Sequence, residues 1–265
     1  MQKIRILYLA NTGFFITAQK HRILLDAVFT RRHYPFSAMP KNVVEQILTR
    51  SGRFSDVTML IVTHRHEDHC DGDALLRYSG DGTPVILPLD VYEAGMPETK
   101  LRLMPNPVHG GKVFEDDTLR VTAIPTRHDG PQDVLPGEHF SYLLEFLPEH
   151  VNLLALGDAE TTYEQFSPYL DGKRIDLMTA NFVEINQDRG RTFLNRIHPI
   201  LTLLCHLPLP EDDQYRMAKL AGRNLDRLKD ALPDCLLCDM PGIAAEVTAE
   251  GYKVISIQDD GGTVE

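Results

Sequence analysis

One short run, Thr63-His64-Arg65-His66-Glu67-Asp68-His69, constrains this chain more than any other stretch. It follows directly on Val57-Thr58-Met59-Leu60-Ile61-Val62, an apolar run with β-branched residues that reads as a buried strand. Imidazole nitrogens and carboxylate oxygens are the usual donors to zinc and to other divalent first-row metals. Side chains alternate along extended backbone, so His64 and His66 point the same way if the chain stays extended there. Asp68 and His69 fall in the turn beyond, where they can address a second ion close by. A strand ending in a loop that opens a helix is a common place for such residues. Three histidines with an aspartate among them argue against a merely solvated turn.

Composition narrows the partners. The 265 residues are 43% hydrophobic and 25% charged, ordinary values for a globular protein. No repeat, low-complexity tract or linker divides them, so residues 1–265 are expected to form one continuous domain. The net charge is −11, which repels nucleic-acid phosphates at long range and makes a nucleic-acid partner unlikely. No apolar run reaches the roughly 18 residues that a membrane-spanning helix needs. The N-terminal apolar stretch is broken by Asn11, Thr12 and Gly13 and reads as a strand rather than a signal peptide. Cys70, Cys205, Cys235 and Cys238 do not make a disulfide framework, and a reduced, cytoplasmic protein is the default.

The pattern of elements suggests sheets covered by helices, an α/β layered arrangement. Strands are expected at 3–9, 13–18, 22–26, 57–62, 85–88, 119–124, 139–146, 151–156, 175–180, 200–205, 235–238 and 253–257. Helices are expected at 40–49, from about Asp73, and over 211–232. In the last of these Met217, Leu220, Ala221, Leu225, Leu228 and Leu232 form an apolar face.

The motif H-x-H-x-D-H after a hydrophobic strand resembles the metallo-β-lactamase-fold hydrolases. The likeness runs in order along most of the chain. Asn11-Thr12-Gly13-Phe14-Phe15 comes first, then Ile23-Leu24-Leu25-Asp26, then the histidine-rich run. His128 in Pro125-Thr126-Arg127-His128-Asp129-Gly130 follows, then Leu156-Gly157-Asp158, then Leu203-Leu204-Cys205-His206. One departure is Ala159, where the family usually has Thr or Ser. It puts an outer hydrogen bond in question, not the ligands.

The resemblance implies a four-layer αββα sandwich and two metal sites. His64, His66 and His128 would hold the first ion. Asp68, His69 and His206 would hold the second, and Asp158 would bridge them. Such a set only partly neutralises two dications, so a bridging water could be acidified from ~15.7 toward ~7. Asp68 could also orient that nucleophile or pass a proton. Zinc is the first choice of metal, with manganese or iron as alternatives.

The implied reaction is hydrolysis of a small ester, lactone or phosphodiester, most like the ascorbate-6-phosphate lactonase branch. The alternative is an iron-dependent oxidoreductase of the same fold, acting on oxygen or a persulfide. Some diiron oxidoreductases of the fold carry Glu where this chain has His66, which favours hydrolysis. No appended flavin-binding domain and no basic RNA-recognition insert is expected. The substrate is expected to be a small molecule, anionic if the basic residues bear on it, and a homo-oligomer is left open.

Other residues weigh less. His198-Pro199 reads as a turn before the strand that delivers His206, so His206 is preferred as the last ligand. His109 lies in a turn-rich loop, and His21, His139 and His150 have no matching context. His33 sits on a loop that this fold places near the site mouth, so a substrate contact is open to it. Cys70 reads as a small buried residue. The Cys235–Cys238 pair has no second pair to complete a zinc site. Arg216, Lys219, Arg223 and Arg227 share a helical face, as a solvated surface rather than an anion clamp.

Overall fold

In the computed structural model, which describes residues 2–78, 82–91, 102–130 and 137–256, strand alternation divides the apolar residues between three cores. Along β1 (Ile4–Ala10), Ile4, Ile6 and Tyr8 face a central core, and Leu7 and Leu9 face an outer one. β2 (Gly13–Ala18) repeats this, with Phe14 and Ile16 inward and Phe15 outward. A strand buried on both faces has no polar side, which is why these segments read as nearly unbroken apolar runs.

β3 (His21–Leu25), β4 (Met59–Ile61), β5 (Val85–Ile86) and β6 (Arg102–Leu103) extend the same sheet as parallel neighbours. β14 (Ile243–Thr248) and β15 (Gly251–Ser256) complete it beside β1, giving the order β15-β14-β1-β2-β3-β4-β5-β6. The second sheet contains β7 (Gly111–Glu115), β8 (Leu119–Pro125), β9 (Phe140–Phe146), β10 (Val151–Ala155), β11 (Leu177–Asn181), β12 (Leu201–Cys205) and β13 (Cys235–Leu237). Its order is β13-β12-β11-β10-β9-β8-β7, with β10 to β13 parallel.

The sheets pack face to face over the central core, where Phe140, Tyr142, Leu144, Leu153 and Leu203 meet Ile6, Ile16 and Ile61. Each such side chain contributes about 1.5–3 kcal/mol when fully buried. α1 (Lys41–Leu48) and α2 (Gly72–Tyr78) cover the outer face of the first sheet through Val43, Ile47, Leu75 and Tyr78. α3 (Tyr163–Leu170), α4 (Asp188–Ile197) and α5 (Met217–Leu228) cover the second through Phe166, Phe193, Leu194 and Ala221. The result is the expected four-layer αββα sandwich. No helix among the described residues is long and apolar enough to cross a membrane.

Two expectations change. The helix expected over 211–232 is only Met217–Leu228. Asp213 accepts hydrogen bonds from the backbone N–H groups of Met217 (2.7 Å) and Ala218 (3.0 Å), and Arg216 takes a left-handed conformation. These stop the helix on its N-terminal side. The strands β7 and β14 and the helices α3 and α4 were not expected at all. Two expectations run past the description: Ser79, in the apolar segment from Asp73, and Ile257, at the end of the last strand, lie outside the described residues.

Candidate metal centre

The carboxyl ends of the strands in both sheets meet at one edge, and each contributes a polar residue there. Asn11 follows β1, Asp26 follows β3, and Thr63 and His64 follow β4. His128 follows β8, Asp158 follows β10, Asn181 ends β11 and His206 follows β12. Open α/β sheets place their ligand sites at this end of parallel strands. The sheets are stitched together here. His64 and His139 form an isolated bridge, and the Phe140 N–H donates to the Thr63 carbonyl at 3.0 Å. Asn11, Asp26 and His206 all have positive φ, at 52°, 45° and 66°. Non-glycine residues adopt that backbone at a cost, and such outliers gather at functional sites.

Two groups of potential donors result. His64, His66, His128 and Asp158 form one; Asp68, His69 and His206 form the other; within each group the donor atoms lie within 4.8 Å of one another. All seven residues expected from the sequence are thus brought together, with Asp158 falling in the first group. His64 Nε2 and His66 Nδ1 are 2.9 Å apart. Asp158 reaches both groups: Oδ2 is 3.6 Å from His128 Nε2 and 3.4 Å from His69 Nε2, and Oδ1 is 3.3 Å from His206 Nδ1. His206 Nε2 faces Asp68 Oδ2 at 3.0 Å.

The donor set fits divalent cations. His69 Nε2 and both ring nitrogens of His128 are buried with no hydrogen-bond partner. Native proteins rarely leave buried polar atoms unsatisfied, and a cation would take up one lone pair on each of these two imidazoles. His69 Nδ1–H donates to Asp26 Oδ2 (3.0 Å), which fixes the tautomer and aims the Nε2 lone pair inward. Asp26 is itself held by the Thr63 N–H (2.8 Å) and hydroxyl (2.7 Å). Asn11 Nδ2 donates to the Asp68 carbonyl (3.0 Å) and Oδ2 (3.3 Å), and Asn181 Nδ2 donates to His206 Nδ1 (2.5 Å).

Charge is concentrated in this buried place. Burial works against ionised Asp158, yet His206 and His69 beside it hold its carboxyl well below the usual carboxylate range. Asp68 behaves alike: burial opposes its charge, but the His206 hydrogen bond and the His69 field outweigh it and lower it. His64 and His139 are held neutral, first by burial and then by neighbouring histidines. His69 goes the other way: burial opposes its charge, but Asp158 and Asp26 raise it well above the usual imidazole range, so a metal would have to displace its proton.

The sequence profile of the β-lactamase superfamily domain matches residues 21–199, more than half of the chain. The chain belongs to the β-lactamase superfamily. No curated protein matches it in sequence. Among solved structures, it resembles a possible metal-dependent hydrolase from Veillonella parvula at 14% identity, covering 97% of this chain and all of that one, with a TM-score of 0.64. A novel metallo hydrolase from the hyperthermophilic archaeon Ignicoccus hospitalis gives 13% identity, the same 97% and 100% coverage and a TM-score of 0.61. CmlA, a diiron β-hydroxylase from Streptomyces venezuelae, gives 13% identity over 97% of this chain and 55% of that one, with a TM-score of 0.54. These likenesses are likenesses of fold.

In this superfamily member the donor groups open into a cavity of about 820 Å³. That volume suits a small molecule. His33 and Phe36 line it as the fold suggested for their loop. The His33 ring lies parallel to that of His66 (8°, centroids 6.0 Å apart), and Phe36 stacks on His206 at 3.9 Å. Ala159, Phe182, Val183 and Met217 add apolar wall, while Arg65, Asp129, Glu184 and Gln187 add polar groups.

Other candidates fall elsewhere. His198 is the exposed left-handed C-cap of α4. His109 is exposed on its loop, and His21 pairs with Thr118 Oγ1 (2.8 Å) at the end of β3 opposite Asp26. Arg216, Lys219, Arg223 and Arg227 are exposed and do not line the cavity. Cys70 is buried with its Sγ toward the His64 carbonyl (3.5 Å), and burial pushes its thiol up, away from reactivity. All four cysteines are free.

The sequence reading missed His139. Its Nε2 accepts from the Asp158 N–H (3.1 Å) and its Nδ1 faces Thr126 Oγ1 (2.8 Å). It holds the Asp158 backbone directly, so no hydroxyl at position 159 is needed for that. Gly157 (φ +59°) lets the chain pass here; a Cβ would lie 3.0 Å from both His139 Nε2 and Thr63. Asn181 was missed too.

Proposed function

We propose that this chain is a metal-dependent hydrolase that cleaves a small ester, lactone or phosphodiester with two bound divalent cations. The observation that carries the reading is Asp158 standing between two donor groups, with buried, unpartnered ring nitrogens on His69 and His128. His64, His66 and His128 would hold one ion, Asp68, His69 and His206 the other, and Asp158 both. When bound, two such ions lower the pKa of a water from ~15.7 toward ~7 and polarise a carbonyl or phosphoryl oxygen.

The chain's own groups do the rest. Asp68 lines the cavity with its carboxylate fixed by Asn11, in place to orient an attacking water by accepting its hydrogen. Phe36, stacked on His206, shields that side from bulk water. The apolar wall of Phe182, Val183 and Met217 suits a substrate with an apolar portion. Asp26, Asn11 and His139 do not line the cavity and, with Asn181 on its wall, keep the donors aimed.

Zinc is the metal proposed, with manganese as the alternative. Iron suits the same donors, and an iron-dependent reaction with oxygen or a persulfide is the competing chemistry. The test is elemental analysis of untagged protein. It is paired with activity after chelation and reloading with zinc, manganese or iron, on an aryl ester, a lactone, a phosphodiester and a β-lactam. Two metals per chain with hydrolysis restored by zinc or manganese supports the reading. Iron with no hydrolysis replaces it with the redox alternative, and no metal uptake removes the ligand assignment.

A further inference from the structure

Glu184 is 2% exposed and belongs to neither donor group. It lies in the 3-10 turn Phe182–Asn186 immediately after β11, the strand that ends in Asn181, and it lines the same cavity as Asp68, Asp158 and His206. Thr161 Oγ1 donates to its Oε2. No other hydrogen bond reaches its carboxyl group among the described residues, and it has no ion pair. The nearby cation is Arg189, whose guanidinium is occupied by Asp129 (2.8 Å) and Glu160 (3.3 Å).

Burial raises the Glu184 pKa to about 7. The Thr161 hydrogen bond and the Arg189 charge oppose the rise, and Asp129 and Asp158 add to it. At neutral pH such a carboxyl group is divided between acid and base, the condition in which proton transfer is most effective. The backbone is also shaped around it. A Cβ at Gly190, in the first turn of α4, would lie 2.4 Å from Glu184 Oε2 and 2.2 Å from its carbonyl oxygen. Only a glycine lets α4 begin this close to the acid.

We propose that Glu184 is the acid that protonates the leaving oxygen of the substrate, and that the substrate is an ester or phosphodiester of an apolar alcohol. This rests on the hydrolase reading. As the bond from the acyl carbon or phosphorus to the leaving oxygen breaks, that oxygen keeps the electron pair and takes the Glu184 proton. It departs as an alcohol. The attacking water gives its oxygen to the acyl or phosphoryl group, and its released proton restores Glu184. Water is the only reagent consumed. The apolar character of the alcohol follows from Phe182 and Val183, the residues that flank the acid on the wall. An alkoxide is a poor leaving group, so it needs the proton. A para-nitrophenolate is a good one and does not.

The experiment uses metal-loaded full-length protein, with paired acetate esters and paired methyl phosphodiesters of ethanol and para-nitrophenol. Glu184→Gln is expected to lower turnover of the ethyl substrate by about 10²–10⁴-fold and that of its nitrophenyl partner by less than about threefold. It should also remove the descending alkaline limb of the pH-rate profile, which a general acid gives, with metal content unchanged and a melting temperature no lower than that of wild type. Equal losses for both leaving groups overturn the proposal. If Glu184→Gln does not fold, Thr161→Val decides. Without the donor to Oε2 the limb must move to higher pH, and a limb that stays put overturns the proposal. If metal-loaded wild-type protein cleaves a nitrophenyl substrate, a lactone or a β-lactam but neither ethyl substrate, this inference fails while the hydrolase reading stands; if it cleaves none of these, the hydrolase reading fails as well.

Discussion

The two donor groups share Asp158 but are built differently. Every member of the Asp68, His69 and His206 group has an outer partner: Asn11 for Asp68, Asp26 for His69, Asn181 for His206. Asp26 and Asn11 are buried residues in the first sheet, and each is itself fixed by backbone bonds. In the other group, His64 has the Thr63 hydroxyl (3.0 Å) and leans on His66, while His128 has no hydrogen bond at either ring nitrogen. One group is set in place by the protein. The other is left to be drawn together by what it binds. A preorganised site loses little freedom on binding, so on the proposed reading the first group would hold its ion the more tightly.

The strongest break of this comparison is Asp158→Ala, which removes the shared carboxylate. Both ions should be lost and hydrolysis with them, by more than the roughly 10–100-fold that loss of an outer partner costs. Elemental analysis after dialysis reads it; retention of both ions would show that Asp158 is not shared. Asp26→Asn is the selective cut. It weakens the hold on His69 and should lower metal affinity by about 10–100-fold in that group, with a smaller loss at His64, whose Thr63 partner Asp26 also holds. Metal titration should then show one site shifted more than the other, whereas equal weakening would erase the distinction.

A third test leaves the donor groups and asks about the cavity wall. The folded protein keeps the Glu184 proton up to about 7, while the unfolded chain releases it near 4.5. Between these values the folded state binds more protons, so stability falls as pH rises through that window. Glu184→Gln removes the dependence, and the variant should gain on wild type by up to about 3 kcal/mol above the window. Denaturant unfolding below and above the window measures it; a constant difference would refute it. The smallest effect belongs to Arg223→Glu with Arg227→Glu. Both are exposed and away from the cavity, so stability should stay within about 0.5 kcal/mol and kcat/KM should not change.

The donor residues were legible in the sequence because histidines and aspartates at strand ends are chemically conspicuous. Their supports were not. His139 and Asn181 are single polar residues at strand boundaries, where a turn residue looks the same. β14 was hidden because Ala244 and Ala245 are buried on opposite faces, and methyl groups give little hydrophobic periodicity. α3 carries Pro168 within it, a residue that argues against a helix. α4 buries only Gly190, Phe193 and Leu194 among polar neighbours, too few to show a stripe. At α5 the opposite error arose: apolar spacing continued to Leu232 although the helix ends at Leu228, and nothing in the polar run 211–216 marks that Asp213 caps the first turn from outside it.

Asp68 and His206 lie 138 positions apart in the chain yet face each other at 3.0 Å. During synthesis the ribosome releases the histidine-rich run long before the strand that ends in His206. A nascent chain therefore exposes sticky, half-made chelators while most of the second sheet is still unborn. Contacts so distant along the chain form late, because their loop entropy must be met first. The last imidazole thus joins the others only once β12 has paired beside β11, and an ion captured earlier would meet an unfinished pocket.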